Sequence, residues 1–537
     1  MRRRASQPRL PLVVAALAAS SVAVHAGAPY LVADINPGPL QAAMRDKVVI
    51  ADVLYLSARV DGVSGREPWR SDGTAAGTFM VMDVRPGSLP SNPSGVAGSA
   101  GQVLFGADDG VSGPELWRCD GATASATLVR DIEPGPVGSD ADPAFFLAGV
   151  VYMGANTNAS GIELWRSDGT AAGTSMVKDL NPLGHGDPVG FAAAKGTLYF
   201  AADDGASGVE LWRSDGTDLG TRIIDACPGA CASNPAQLVA MRDIVYFVAA
   251  DAVGDRELWR SDGTPTGTWR VIDLRAGALG ASVRGLICLG ETLFFTADDG
   301  LGGAELWRSR GTATTTVQVK DIAPGPQSSN PVAIAAGDRL YLAADDGTSG
   351  VELWLSDGTA AGTQRVKDIN AAGSSQPREF AVAGDAVWFS ADDAVSGDEL
   401  WCSDGSDAGT LPLGEIVPGA AGAAIGLVHT VGPRVVFEAD DGVVGAELWA
   451  VETEIAVEVL LRNDRLTQLT PATPPLASML PLSPAADTYR TTFFRGGHDP
   501  ECGLLGDASR PLVFYGLGGS SVLKLVKTPA GAIVARF

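Results

Sequence analysis

Gly208 to Thr217 reads Gly-Val-Glu-Leu-Trp-Arg-Ser-Asp-Gly-Thr, and close variants of this stretch recur along the chain. The tryptophan marks each copy, at a spacing of 47 or 48 residues: Trp69, Trp117, Trp165, Trp212, Trp259, Trp307, Trp354, Trp401 and Trp449. A fixed period of this length indicates a repeat architecture. The stretch therefore decides the fold, because copies of one small unit have to bury their apolar faces against each other.

The composition of each unit favours β structure. The chain contains 67 glycines, which turns accommodate at positive φ and which helix interiors tolerate poorly. One unit shows four strand-like runs separated by turn residues: Val317 to Ile322, Val332 to Ala336, Leu340 to Ala344 and Glu352 to Trp354. Four short strands with tight turns fill the period and match a propeller blade.

The two ends of the array predict how it closes. Tyr30 to Pro39 matches the strand that elsewhere follows the tryptophan strand, yet no tryptophan strand precedes it. Glu447 to Trp449 lacks the usual continuation. Pairing of these two strands would close the ring and leave no bare edge. We predict an all-β propeller of about nine four-stranded blades closed by terminal strand pairing, with a β-solenoid as the alternative.

The flanking segments define the predicted domains. Residues 1–26 read as a signal peptide, with arginines followed by an apolar run and the cleavage-type sequence Val24-His25-Ala26. The repeats occupy residues 28–450, a Pro-rich linker 451–486 and a small C-terminal β segment 487–537. We expect a secreted, cell-surface or periplasmic protein with no transmembrane segment after signal removal, because no later apolar run reaches the roughly 20 residues of a span.

Charge and cysteine content narrow the function. A formal net charge of −24 argues against nucleic acid as a partner, because phosphates demand a basic surface. Cys227 and Cys231 stand in one Cys-Pro-Gly-Ala-Cys loop and predict a local disulfide, with two free thiols as the alternative. The sequence does not pair the remaining four, Cys119, Cys288, Cys402 and Cys502.

The repeat resembles the bacterial ELWxxDGT repeat family, because Glu210 to Thr217 carries the motif that gives the family its name. The resemblance spans about residues 28–450. It implies a repeat-built, exported bacterial protein, and it brings no reaction that can be assigned to named residues.

Two side chains of the repeat invite interpretation. The tryptophans are predicted to pack between blades, and the alternative is an exposed surface that stacks on sugars. A glutamate lies two residues before every tryptophan: Glu67, Glu115, Glu163, Glu210, Glu257, Glu305, Glu352, Glu399 and Glu447. We expect these carboxylates to accept hydrogen bonds from turn amides, with ligand or metal contact as the alternative.

The acidic loop before each glutamate is the best metal candidate in the sequence. Its pattern is Asp-Asp-Gly-x-x-Gly-x-Glu, and calcium prefers several oxygens from flexible acidic loops. The predicted calcium ligands are Asp203, Asp204, Glu210, Asp298, Asp299, Glu305, Asp345, Asp346 and Glu352. Turn stabilisation by the aspartates is the competing interpretation. A further acidic series that includes Asp273 precedes the next turn and is predicted to accept turn amides.

No catalytic or cofactor-binding residue is predicted, because His185, His429 and His498 are scattered and the repeats look alike. We predict an exported, non-enzymatic β-propeller that acts as a binding or structural module, with an extracellular protein or glycan as partner. A calcium-stabilised surface adhesin is one alternative. The other is a hydrolase or lyase that uses two carboxylates converging in a deep pocket at the propeller mouth.

Overall fold

The computed structural model describes residues 28–453, apart from 228–230, 278–279 and 385, together with six short strands nearer the C terminus. Residues 28–453 form nine four-stranded antiparallel sheets arranged as a β-propeller, so the predicted fold is confirmed. The alternative of a β-solenoid is wrong. The predicted signal peptide, residues 1–26, lies outside the described residues.

We number the blades 1 to 9 in chain order and call the four strands of each blade inner, second, third and outer. The first strands of successive blades contact each other all the way round and therefore surround the ring axis. The inner strands are Arg45–Ile50, Ser94–Ser99, Asp142–Leu147, Val189–Ala194, Ala236–Met241, Arg284–Leu289, Val332–Ala336, Arg378–Ala383 and Gly426–Val431. The second strands are Val53–Val60, Gln102–Asp108, Val150–Thr157, Thr197–Asp203, Ile244–Ala250, Thr292–Asp298, Arg339–Asp345, Ala386–Asp392 and Arg434–Asp440.

The third strands carry the Glu-x-Trp signature or its variants. They are Ser64–Ser71, Pro114–Cys119, Gly161–Ser167, Val209–Ser214, Arg256–Ser261, Ala304–Ser309, Val351–Ser356, Asp398–Ser403 and Ala446–Glu452. The outer strands are Phe79–Met80, Ala126–Arg130, Ser175–Lys178, Arg222–Ile224, Trp269–Arg270, Val317–Lys320, Gln364–Lys367, Leu411–Pro412 and, in blade 9, Tyr30–Ala33. Two short 3₁₀ helices precede outer strands, Pro265–Gly267 and Ala313–Thr315.

Ring closure follows the prediction from the sequence. The strand Tyr30–Ala33 pairs antiparallel with the third strand of blade 9, so that Tyr30 lies opposite Ala450 and Leu31 opposite Trp449. Glu447 adds a side-chain link, because its Oε2 accepts a hydrogen bond from the Ile35 amide at 2.7 Å. The blade built from both ends of the array thus leaves no open sheet edge at the seam.

The turn between the second and third strands shows why the repeat needs its glycines and aspartates. In blade 4, Gly205 and Gly208 adopt φ of +74° and +75°, a region that side chains rarely occupy. Asp203 Oδ1 accepts the Gly205 amide at 2.7 Å, and Asp204 Oδ1 accepts the Ser207 amide at 2.6 Å. The turn is therefore stabilised by its own sequence.

The apolar core consists of clusters that each join two neighbouring blades. Trp212 of blade 4 packs with Phe200 and Leu198 of its own blade and with Tyr152 and Leu164 of blade 3. Only 4% of Trp212 is exposed to solvent. The tryptophans belong to the core between blades, and the alternative of an exposed sugar-stacking surface is wrong for Trp212 and its buried equivalents.

The strands outside the propeller form two three-stranded sheets. Their members are Leu461–Arg462, Leu480–Pro481 and Thr488–Arg490 in one sheet, and Leu512–Phe514, Leu523–Lys527 and Ile533–Arg536 in the other. Two of these strands lie within the segment predicted as a Pro-rich linker. No helix within the described ranges is long and apolar enough to cross a membrane.

Candidate functional site

The repeated glutamate holds the chain where it passes from one blade to the next. In blade 7, Glu352 accepts the Ile369 amide at 2.8 Å, the Ser375 amide at 2.9 Å and the Ser375 hydroxyl at 2.7 Å. Ile369 follows the outer strand of blade 7, and Ser375 precedes the inner strand of blade 8. The carboxylate therefore fastens the connection between the blades, through the amide hydrogen bonds that the sequence predicted.

The serine partner divides the nine blades into two groups. The hydroxyl donor is present for five glutamates, through Ser91, Ser139, Ser233, Ser329 and Ser375. At the position equivalent to this serine, the other four blades have no hydroxyl donor. Their residues there are Ala42, Gly186, Ala281 and Ala423. The backbone carbonyl of each of these residues accepts an amide hydrogen bond from the second strand of the blade that follows, as the carbonyls of the five serines do, which identifies the nine positions as equivalent.

The missing hydroxyl changes the ionisation of the glutamate. Burial raises the pKa to about 7 in the four blades without serine, at Glu163, Glu257, Glu399 and Glu447. Burial also raises the pKa of Glu352, but the hydrogen bond from Ser375 opposes this rise. A donated hydrogen bond favours the charged form of an acid, so the serine hydroxyl opposes the effect of burial on the pKa of the glutamate.

The residues predicted to bind calcium divide between two structural tasks. The aspartates stabilise turns: Asp204 and Asp299 accept amides of the residues that follow them, and Asp346 also accepts two hydroxyls. Asp203, Asp298 and Asp345 each accept a glycine amide two residues on. Glu210, Glu305 and Glu352 fasten blade connections. Calcium at these loops remains a prediction.

The loop between blades 4 and 5 contains the predicted cysteine pair. Cys227 and Cys231 are joined by a disulfide bond. Cys119, Cys288 and Cys402 are unpaired in the described part of the chain. Cys502 lies outside the described residues.

A surface pocket lies where blade 5 meets blade 6. Its volume is about 270 Å³, and its walls are Met241, Arg242, Ile244, Tyr246, Arg260, Glu291 and Arg310. Three of these seven residues are arginines in a chain whose net charge is −24. The pocket therefore combines apolar side chains with three positive charges and one negative charge.

The arginines of the pocket are held in different ways. Arg260 donates to the Gly311 carbonyl at 3.2 Å, and its guanidinium lies 4.6 Å from the Trp269 ring centroid. Arg242 forms an ion pair with Glu291 in which both side chains are largely exposed. Arg310 is exposed and forms no ion pair with any residue that the structure describes. Its charge is the one available to a ligand.

Arg310 interrupts the repeat. Seven blades carry aspartate at this place: Asp72, Asp120, Asp168, Asp215, Asp262, Asp357 and Asp404. At the preceding junction, Arg213 donates to Gly263 at 3.0 Å just as Arg260 donates to Gly311, but an aspartate, Asp262, stands beside it. The charge at Arg310 is opposite to that of the aspartates at the equivalent places, which makes this junction more positive than the others.

A second departure from the repeat also belongs to blade 5. Among the described residues, three carboxylates have oxygens within 4.8 Å of one another at one place, formed by Asp255, Glu257 and Asp273. Sequence reasoning found no odd position in the ring. Comparing the nine copies position by position would have found both Arg310 and Asp255, because each differs from the residue type of its equivalents.

Comparison with known proteins gives a fold and no family. No protein-family model matches the chain, and no curated protein matches it either. The resemblance to the ELWxxDGT family thus remains a prediction.

Several solved structures resemble the chain at low identity. A puromycin hydrolase is 16% identical, with 69% of this chain and 59% of that chain covered and a TM-score of 0.35. Oligopeptidase B from Leishmania major is 11% identical, with 76% and 54% covered and a TM-score of 0.38. A structure from a study of two prolyl endopeptidases is 15% identical, with 60% of this chain and 52% of that chain covered and a TM-score of 0.37.

These similarities correct the predicted function. The chain spans less than two thirds of each of these proteins, and at such identities the likeness shows the fold alone. The prediction of an exported, non-enzymatic binding or structural module, with its adhesin alternative, is corrected here: the solved structures with a similar fold are named as hydrolases and peptidases, and no function is transferred from them. The three-carboxylate cluster of blade 5 is not the open carboxylate pair that the hydrolase alternative requires, because Asp255 and Glu257 are 2% and 0% exposed.

Proposed function

We propose that this chain is the substrate-recognising propeller of a hydrolytic enzyme, and that it holds a peptide-like substrate by a carboxylate in the pocket between blades 5 and 6. The observation that carries the proposal is Arg310, an exposed arginine where seven other repeats have aspartate. The hydrolases and peptidases above name the class of reaction to assay first. Recognition of the carboxylate rests on the pocket itself.

The chemistry of the pocket suits a carboxylate. A guanidinium presents planar N–H donors that match the two oxygens of a carboxylate, and such charge-assisted hydrogen bonds are among the strongest in proteins. Arg310 is free to make this contact, whereas Arg260 is fixed by Gly311 and Trp269. Arg260 supplies a second positive charge beside the ligand without having to move.

The size of the pocket limits the ligand. Pockets for drug-sized molecules usually measure roughly 300–1,000 Å³, and the present one, at about 270 Å³, lies just below that range. It fits one or two residues at the end of a peptide. Met241, Ile244 and Tyr246 offer apolar contact to the side chain of such a residue. We therefore expect a preference for a C-terminal apolar residue with a free carboxylate.

Calorimetry with an N-acetylated dipeptide and its C-terminal amide tests recognition. The free acid should bind the full chain more tightly than the amide by at least about tenfold, because a hydrogen bond to a charged group contributes about 1.5–3 kcal/mol. Arg310→Asp introduces the residue of the other repeats and should abolish this preference. Asp357→Asn, at the equivalent place in the next blade, is the matched control and should leave it unchanged.

Release of new amino groups from a peptide mixture, with mass-spectrometric identification of the products, tests hydrolysis. Turnover that falls in Arg310→Asp but not in Asp357→Asn supports the proposal. Equal binding of acid and amide overturns the assignment of the pocket. Binding of the acid without turnover overturns the assignment to a hydrolytic enzyme.

A further inference from the structure

Blade 5 contains a cluster of carboxylates that no other blade reproduces among the residues the structure describes. Asp255 and Glu257 are 2% and 0% exposed, and Asp273 lies beside them at the surface. Arg270 is the cation in contact: it lies 2.7 Å from Asp255 and 3.2 Å from Asp273, and it also approaches Asp251 at 3.4 Å. Three carboxylates thus contact one guanidinium.

The identity of Asp255 sets this cluster apart. The eight equivalent positions of the other repeats are all glycine: Gly65, Gly113, Gly161, Gly208, Gly303, Gly350, Gly397 and Gly445. Blade 5 therefore has a buried carboxylate at a position where the other repeats have no side chain. The same blade has Ala281 in place of the serine that would donate to Glu257.

Two oxygens of the cluster lack a partner. Asp255 Oδ1 and Glu257 Oε2 are buried and accept no hydrogen bond from any described residue. Glu257 Oε1, by contrast, accepts the Arg275 amide at 3.1 Å. A buried, unpaired carboxylate oxygen costs several times more than a hydrogen bond contributes, so such atoms call for a counter-ion.

We propose that Asp255, Glu257 and Asp273 bind one divalent cation, and that the cation is calcium. None of these three residues is among the calcium ligands predicted from the sequence, which lie in blades 4, 6 and 7. One oxygen from each of the three carboxylates lies within 4.8 Å of the others, close enough for a single calcium ion to contact all three. Magnesium is usually bound through one or two carboxylates and keeps several waters, so a set of three protein carboxylates favours calcium.

Arg270 competes with the cation for the same oxygens. It contacts Asp255 Oδ2 and Asp273 Oδ2, whereas the unpartnered Asp255 Oδ1 faces no donor among the described residues. One guanidinium does not neutralise four carboxylates, and a divalent ion would reduce the remaining charge. The side chains of Asp251 and Asp273, 29% and 35% exposed, give the ion a route from solvent.

Calcium titration of the full chain by calorimetry, after chelator treatment, tests the proposal. We expect saturable binding that is lost in Asp255→Gly, which introduces the residue of the other eight repeats. Asp368→Asn is the matched control, because Asp368 pairs with Arg365 at 3.3 Å in blade 7 as Asp273 pairs with Arg270, but beside a glycine. Arg270→Met removes the competing guanidinium and should tighten binding by about tenfold or more.

The result of each variant decides the proposal. Loss of calcium binding in Asp255→Gly with retention in Asp368→Asn supports it, and a circular dichroism spectrum shared with the wild type shows that the variant is folded. Absence of binding in the wild type overturns it. Binding that survives Asp255→Gly but disappears in Asp204→Asn also overturns it, because the ion would then be held by the acidic turns.

Discussion

Blades 7 and 8 have the same strands and the same Glu-Leu-Trp signature, yet their glutamates are held differently. Glu352 of blade 7 receives three short hydrogen bonds, two of them from Ser375. Glu399 of blade 8 receives two long ones, from the Ile416 and Val417 amides at 3.3 and 3.4 Å, and Ala423 stands where the serine would be. A constant residue therefore does not have a constant role: its partner decides whether it holds the ring firmly.

The difference lies in how desolvation is offset. Both carboxylates are almost fully buried, which penalises their charged form. In blade 7 the donors replace most of the lost water. In blade 8 the nearby carboxylates Asp398 and Glu415 add to the penalty of burial instead, and the pKa of Glu399 rises to about 7. Blade 8 thus has a junction whose strength depends on pH near neutrality.

The test with the largest expected effect removes the carboxylates of Glu352 and Glu399 one at a time. Glu352→Ala leaves two amides and a hydroxyl without their acceptor, and each buried unsatisfied group costs about 1–3 kcal/mol. Glu399→Ala removes weaker bonds together with an unfavourable buried charge. We expect the unfolding free energy to fall by about 2–4 kcal/mol more for Glu352→Ala, measured by urea denaturation at pH 8. Similar losses in the two variants would show that the hydroxyl is irrelevant.

The second test uses pH. The pKa of Glu399 rises from 4.5 to about 7 on folding, so the folded state binds the proton more tightly. Its contribution to stability is therefore most favourable below pH 4.5 and is lost as the pH rises through 7, by about 3 kcal/mol. Glu399→Gln should flatten this part of the pH profile, measured with chelator present between about pH 5 and 8.

The control for the pH test is Glu352→Gln. The hydrogen bond from Ser375 opposes the rise in the pKa of Glu352, so this variant should change the slope of the profile less. Equal changes of slope in the two variants would contradict the role given to the serine. Glu163, Glu257 and Glu447 also lack the hydroxyl, and they account for pH dependence that remains in Glu399→Gln.

The sequence predicted the fold because the fold depends on what the copies share. The spacing of the tryptophans indicated the blades, and the unmatched strands at Tyr30 and Glu447 indicated the closure that the structure confirms. Short Asp-Gly turns and alternating apolar residues act locally, so each copy encodes its own blade. A repeated pattern is a strong signal even where one copy alone would be ambiguous.

The site was missed because it depends on where the copies differ. An aspartate at 255 and an arginine at 310 are ordinary residue types. They become informative only when they are compared with the glycines and aspartates at the equivalent positions of the other repeats. Which side chains meet across a junction also cannot be read from a linear pattern: Glu257 and Asp273 are sixteen residues apart in the sequence, and only the fold of the chain between them brings their carboxylates together.

The test with the smallest expected effect changes the residues that donate to the glutamates and leaves the glutamates themselves unchanged. Ser375→Ala deletes the 2.7 Å hydrogen bond to Glu352, and Ala423→Ser adds a hydroxyl at the equivalent place beside Glu399. A hydrogen bond to a charged group contributes about 1.5–3 kcal/mol, so at pH 8 the first variant should lose and the second gain up to that amount. Thermal unfolding at pH 8 and pH 5 measures both.

At pH 5 the gain in Ala423→Ser should shrink, because Glu399 is protonated there in the parent protein and its burial carries a smaller penalty. A gain that is the same at both pH values would mean that the hydroxyl acts by filling space, and the division of the blades by their serine would then be a matter of packing instead of charge.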